Sequence, residues 1–261
     1  MKILTSFSAS AAACLGLMVV PAGARQPNAL ASATEIIVVT TSDWNAVEGT
    51  LRRYERRSPR QKWTLVGQAV TVVVGKSGLG WGAGIVALDG AGIRGGSDPV
   101  KKEGDGKAPA GVFVLSRAFG YAPQAPPGSR MPYVPLTPSV ECVDDSASKF
   151  YNRVLDRGTV AVDWNSSEHM LRSDDLYHWG IVVDHNSDPA RPGAGSCIFM
   201  HIWRGPGQGT VGCTAMPQEQ LESVLGWLDP ARQPLLVQLP EPQYAKVRKK
   251  WGLPALPISA D

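Results

Sequence analysis

His201 closes a short apolar run, Ile198-Phe199-Met200, and Cys213 follows a glycine twelve residues later. Between them lie Trp203, Arg204 and a loop containing Gly205, Pro206, Gly207 and Gly209, ending in Thr210-Val211-Gly212-Cys213. These residue types suit nucleophilic catalysis by a cysteine. The thiolate is the attacking species, and a nearby imidazole can take its proton and later return it to a leaving amine. Twelve residues are too many for one helix face, so two neighbouring backbone segments joined by a turn must bring the pair together. The carbonyl of Ile202 is a candidate to orient the His201 ring. The backbone N–H groups of Gly212 and Cys213 are candidates for an oxyanion hole, since glycine allows close approach. Arg204 is a candidate for gripping a substrate carboxylate with two bonds. Trp203 reads as packing, with substrate stacking as the alternative. Tyr177, His178 and His185 flank an apolar run and are candidates for a cleft wall.

The elements that must hold this pair are mostly strands. The chain has 261 residues, 43% of them hydrophobic, with 28 Gly and 21 Pro. That is ample for one large domain and indicates a β-rich fold with many turns. Strand signals cover Glu35–Thr40, Trp63–Val66, Val70–Val74, Trp179–Val183 and Pro234–Leu239. Val47, Leu51 and Tyr54 at helical spacing predict a short helix over 44–54. A second short helix is expected within 144–156. The clearest helix follows Pro217, with Leu221, Val224, Leu225 and Leu228 on one face. On this reading Cys213 lies just before a helix N-terminus, whose partial positive charge would favour a thiolate.

The N-terminus carries Lys2, an apolar stretch to about Val20, and Ala22-Gly23-Ala24, an A-x-A-like cleavage site. Residues 1–24 are read as a secretory signal, which places the mature protein in the periplasm or cell envelope. No later stretch is long and apolar enough to span a membrane. The formal net charge of +3 is too small to indicate a nucleic-acid partner. Past the signal, three cysteines remain: Cys142, Cys197 and Cys213. An odd number in an oxidising compartment suggests one bridge and one working thiol. With Cys213 as the thiol, Cys142–Cys197 is the candidate disulfide, although spacing alone does not fix connectivity.

Competing signatures are weak. Ser146-Ala147-Ser148-Lys149, Ser173-Asp174-Asp175 and Lys76-Ser77-Gly78 loosely match the set of penicillin-binding serine enzymes, but the order along the chain is wrong. The four histidines fall in no H-E-x-x-H or C-x-x-C frame, so no metal is expected, nor is an organic cofactor.

Two stretches together carry a resemblance. His201 with Thr210-Val211-Gly212-Cys213 resembles the histidine, loop and Ser/Thr-x-Gly-Cys of the L,D-transpeptidase catalytic domain, the YkuD family. Glu103-Gly104-Asp105-Gly106-Lys107-Ala108-Pro109-Ala110-Gly111-Val112-Phe113 is similar to the family's upstream E-G-D-x-x-T-P-x-G-x-F segment. The resemblance spans roughly 66–239. It implies a mainly β fold with some α, sandwich-like, with a helix after the catalytic cysteine. The implied layout is an N-terminal lead and strand-helix appendage at 25–65, the catalytic domain at 66–239, and a Pro-rich basic tail at 240–261. The implied partner is the stem peptide of peptidoglycan. Cys213 would attack the bond between its third and fourth residues, and an amine of a second stem would resolve the acyl-enzyme as a 3–3 cross-link. An L,D-carboxypeptidase or other hydrolase using the same residues is one alternative, and a non-catalytic peptidoglycan-binding envelope protein is another. The chain departs from the family at two places. Val211 stands where many members have histidine, and Ala215 where many have arginine.

Overall fold

The computed structural model describes residues 29–86 and 93–257. The expected signal segment, with Cys14, lies outside them. Among the described residues, thirteen strands run in chain order: β1 (Glu35–Thr41), β2 (Glu48–Glu55), β3 (Thr64–Val73), β4 (Leu79–Trp81), β5 (Ala108–Gly120), β6 (Tyr133–Pro135), β7 (Val140–Val143), β8 (Val154–Asp156), β9 (Ser167–His169), β10 (Trp179–Val183), β11 (Phe199–Ile202), β12 (Thr214–Met216) and β13 (Leu235–Pro240). The helices are α1 (Ala29–Ser32), α2 (Gln218–Trp227) and α3 (Glu241–Trp251).

The main sheet runs β10-β11-β12-β3-β2-β1-β13-β5-β4, with β6 beside β5. It closes on itself, because the 13-residue β5 pairs with β13 through 111–114 and with β10 through 115–120. A closed ring leaves few unpaired edges. Both of its faces are buried, and fully buried side chains such as Ile36, Val38, Leu51, Val112, Phe113, Ile181, Met200 and Val237 belong to one apolar cluster. A separate three-stranded sheet, β8-β7-β9, carries a second apolar cluster containing Cys142, Cys197, Phe199, Tyr177 and Cys213. The sheet-rich expectation therefore holds.

Two local expectations are corrected. Residues 44–54 hold no helix. Leu51 and Tyr54 are both buried on β2, three residues apart, because β2 alternates regularly against β1, with Leu51 opposite Val39 and Tyr54 opposite Ile36, and both faces of the sheet are covered there. Burial of one residue on each face imitates a helical period. Residues 144–156 also form no helix. The Asp145 carboxylate accepts from the Ala147 N–H and the Ser148 hydroxyl from the Phe150 N–H, local bonds that compete with helix. Asn152 then turns left-handed at φ 62°.

The ends of the chain are integrated too. The stretch expected as an appendage supplies β1 and β2, and β1 lies between β2 and β13. The stretch expected as a tail folds into α3. Tyr244 and Val247 are buried on this helix, and the Tyr244 hydroxyl donates to the Pro254 carbonyl at 2.8 Å. Its basic residues Arg248, Lys249 and Lys250 occupy the last turn, where they complement the helix dipole.

Candidate functional site

His201 and Cys213 come together through a parallel strand pair. β11 delivers His201, the Gly-rich loop reverses, and β12 returns alongside, with Met200 opposite Thr214 and His201 opposite Ala215. Cys213 is the residue immediately before β12. Both side chains line one cavity of about 230 Å³, shared with Glu168, Arg172, Tyr177, Trp203, Arg204, Thr210 and Val211. Tyr177, Trp203 and Arg204 are thus brought to the same cavity as the pair. His178 does not line this cavity. Its ring stacks edge-on against Trp179 and Tyr121. His185 lies at another cavity, of about 310 Å³, behind the Cys142–Cys197 bridge.

The imidazole is fixed from behind. His201 Nδ1 donates to the Ile202 carbonyl at 2.7 Å, which leaves Nε2 as the proton acceptor. The Tyr177 ring meets the His201 ring edge-on, with centroids 5.2 Å apart. Burial lowers the His201 pKa to about 4, opposed by the bond to the Ile202 carbonyl. The ring is therefore neutral near pH 7 and able to accept a proton.

The thiol is held by backbone. Cys213 Sγ accepts from the Phe199 N–H at 3.4 Å and donates to the Cys197 carbonyl at 3.6 Å. Burial pushes the thiol up to about 12, and the Glu168 carboxylate adds to the rise, against a smaller opposing pull from the Phe199 N–H. The expected helix effect is absent for a geometric reason. β12 and Pro217 intervene before α2 begins at Gln218, and helix dipoles act within about a turn. The resting thiol is protonated.

The turn before Cys213 is built by Thr210. Its Oγ1 accepts from the Gly212 N–H at 3.1 Å and donates to the Cys213 carbonyl at 2.7 Å. This corrects the expected role of Gly212: its N–H is already engaged, so the Cys213 N–H, which makes no hydrogen bond among the described residues, is the free donor. Glycine is still required at 212, since a Cβ there would lie 3.3 Å from both Ile198 Cδ1 and the Lys107 carbonyl.

The upstream E-G-D segment braces the site from outside. Glu103 Oε2 accepts from Ser196 Oγ at 2.8 Å and from the Tyr151 hydroxyl at 2.5 Å. Asp105 takes Lys101 Nζ and the Lys102 N–H at 2.7 Å and the Lys107 N–H at 2.9 Å. Ser196 precedes Cys197, and Lys107 sits against Gly212, so the loop supports both sides of the thiol. Cys197 itself is left-handed at φ 54°. It is tied to Cys142 by the expected disulfide and through its N–H to Asn152 Oδ1 at 2.9 Å. Cys213 is the only free cysteine among the described residues.

Sequence reasoning missed Glu168 and Arg172. Glu168 is on β9, where Oε1 accepts from the Tyr177 hydroxyl at 2.5 Å and lies 3.7 Å from Arg172 Nη1. Arg172 grips Asp174 with two bonds, Nε at 2.8 Å and Nη2 at 2.7 Å. Both come from the small sheet and the turn after it, some forty residues before Cys213, where no motif marks them. Val211, in the position of the family histidine, is 73% exposed at the cavity and brings no titratable group.

The family model for the L,D-transpeptidase catalytic domain, YkuD, matches residues 36–237, which covers every element from β1 into β13. No curated protein and no solved structure matches the chain.

Proposed function

Because the chain belongs to the L,D-transpeptidase catalytic domain family, we propose that it is an exported cysteine acyltransferase acting on peptidoglycan stem peptides, with Cys213 as nucleophile and His201 as general base and acid. The observation that carries this reading is the shared cavity. Cys213 and His201 line one cavity, while His201 Nδ1 is held on the Ile202 carbonyl.

The steps follow from the chemistry. The Cys213 proton moves to His201 Nε2, and Sγ attacks the carbonyl between the third and fourth stem residues. The Cys213 N–H stabilises the oxyanion of the tetrahedral intermediate. The intermediate collapses as His201 returns the proton to the departing amine of the fourth residue, leaving a thioester. An amine of a second stem then attacks the thioester, restoring the thiol and forming a 3–3 link. Arg204, which makes no hydrogen bond or ion pair among the described residues, offers a guanidinium to a stem carboxylate. Ala215 faces His201 across the strand pair, so Arg204 and Arg172 carry the cationic role that the family arginine would otherwise fill. A reading as a non-catalytic binder has no counterpart for the fixed imidazole tautomer.

The test is product analysis. Protein beginning after Ala24 is incubated with purified tetrapeptide muropeptides, beside a Cys213→Ala control. A cross-linked dimer lacking one terminal D-amino acid establishes transpeptidation, and fragmentation identifies the bond. Tripeptide alone assigns carboxypeptidase action. A folded protein giving the same products as the control refutes the stem-peptide reading.

A further inference from the structure

Glu168 is the one carboxylate lining the Cys213 cavity. Its Oε1 is taken by Tyr177, while Oε2 makes no hydrogen bond among the described residues, and the side chain keeps 26% of its surface exposed. Arg172 is a poor counter-charge for it, at 3.7 Å and already clamped bidentate on Asp174. Tyr177, fully packed between the two, ties this carboxylate to the chemistry: its ring lies edge-on to His201 and to Phe199, the residue whose N–H holds Cys213 Sγ. The other charged or titratable groups around the thiol are Arg172, Arg204 and His201 at the cavity, Asp174 behind Arg172, and Lys101, buried behind the Gly212 turn. A carboxylate whose nearest cation is 3.7 Å away thus lines the same cavity as a thiol that must itself become negative to react. Like charges at short range in a dry site disfavour each other's ionisation.

Building on the stem-peptide reading, we propose that Glu168 senses the substrate: its charge adds to the burial that holds the Cys213 thiol protonated in the free enzyme, and an ammonium group of the bound stem on Oε2 removes that added share when attack is due. The proton still passes to His201 Nε2, and the ammonium contributes charge alone. The free enzyme is then guarded against alkylation and oxidation, since those reactions need the thiolate.

Two measurements test this. The first is the pH dependence of iodoacetamide alkylation at Cys213. Glu168→Gln, which keeps an acceptor for Tyr177, should react about tenfold faster near neutral pH, with a midpoint about one unit lower, while the charge-retaining Glu168→Asp should resemble the wild type. Thermal unfolding of each variant identifies any loss of fold. Equal midpoints in folded wild type and Glu168→Gln overturn the proposal. The second is calorimetric binding, in a Cys213→Ala background, of a tetrapeptide stem with a free side-chain amine and of the same peptide acetylated there. The free amine should bind about tenfold more tightly, and Glu168→Gln should erase the difference. Equal affinities overturn the ammonium step. A protein binding neither peptide counts against the stem-peptide reading and the ammonium step together, while the alkylation midpoints still decide whether the charge restrains the thiol.

Discussion

Reducing the Cys142–Cys197 bridge should cost the protein stability and disturb the thiol site together. The two cysteines are 55 residues apart. Closing a loop of that size in the unfolded chain is worth about 4 kcal/mol on the chain-entropy account. Both residues are buried in the apolar cluster shared with Cys213, so little of that gain is offset by solvent exposure in the folded state. The perturbation is a reductant, applied to Cys213→Ala so that the free thiol cannot exchange with the bridge. The assay is urea unfolding of the oxidised and reduced forms, with an expected loss of about 4 kcal/mol. A loss below about 1 kcal/mol would refute the reasoning, because the bridge would then join segments that hold together without it.

The same bridge makes a local prediction. Cys197 presents the carbonyl that accepts the Cys213 thiol, in a left-handed backbone conformation that non-glycine residues adopt only when their surroundings enforce it. Three attachments enforce it here: the disulfide, Asn152 on the Cys197 N–H, and Glu103 on Ser196. Thiol titration of the unreduced protein lacking residues 1–24 should find one free thiol, and finding three would remove the bridge from the argument.

Further perturbations separate the turn from the fold. Thr210→Val removes an acceptor for the Gly212 N–H and a donor to the Cys213 carbonyl; it should destabilise by about 1–3 kcal/mol and slow acylation, whereas Thr210→Ser should restore both, as read by urea unfolding and thioester formation. His185 is fully buried, with Nε2 on the Ala194 carbonyl and Nδ1 without a hydrogen bond. Burial lowers its pKa to about 4, so between pH 6.5 and 4 the unfolded chain takes up the proton that the folded chain refuses. The stability this group contributes is therefore present above pH 6.5 and lost as pH falls, by about 3 kcal/mol at pH 4. His185→Gln should flatten that part of the stability–pH curve relative to wild type, and an unchanged slope would refute the assignment.

What the sequence disclosed follows from which interactions are local. The pairing of His201 with Ile202 and the turn at Thr210-Val211-Gly212-Cys213 are made by neighbours in the chain, so their residue types were legible. The buried strands Glu35–Thr41 and Trp179–Val183 were legible as continuous apolar runs. Strand β2 was not, because the burial of Leu51 on one face and Tyr54 on the other depends on what covers the sheet and not on the strand alone. The helix in the C-terminal stretch was hidden by its charges: Gln243, Tyr244 and Val247 bury one face, while Lys246, Arg248, Lys249 and Lys250 give the stretch the composition of a tail. Glu168 and Arg172 were invisible for a third reason. They reach the thiol only because the disulfide and the Tyr177 hydrogen bond fold the small sheet against β11.

That placement bears on the two family residues the chain lacks. With Val211 and Ala215 in their positions, the strand pair that holds His201 and Cys213 brings no charge of its own to the cavity. Burial then drives both groups the same way, holding the thiol protonated and the imidazole neutral. An ion pair in such a place must be stabilised from outside the pair, because two buried charges need further partners to recover their desolvation cost. The groups positioned to supply it are Arg172 and Glu168, from the small sheet and the turn after it, and Arg204, from the loop that joins the two strands, and one of the three has the wrong sign for a thiolate. A site assembled this way is quiet when empty and depends on what enters the cavity to reverse the balance. Its reactivity is therefore set less by the cysteine and histidine than by the small sheet that faces them.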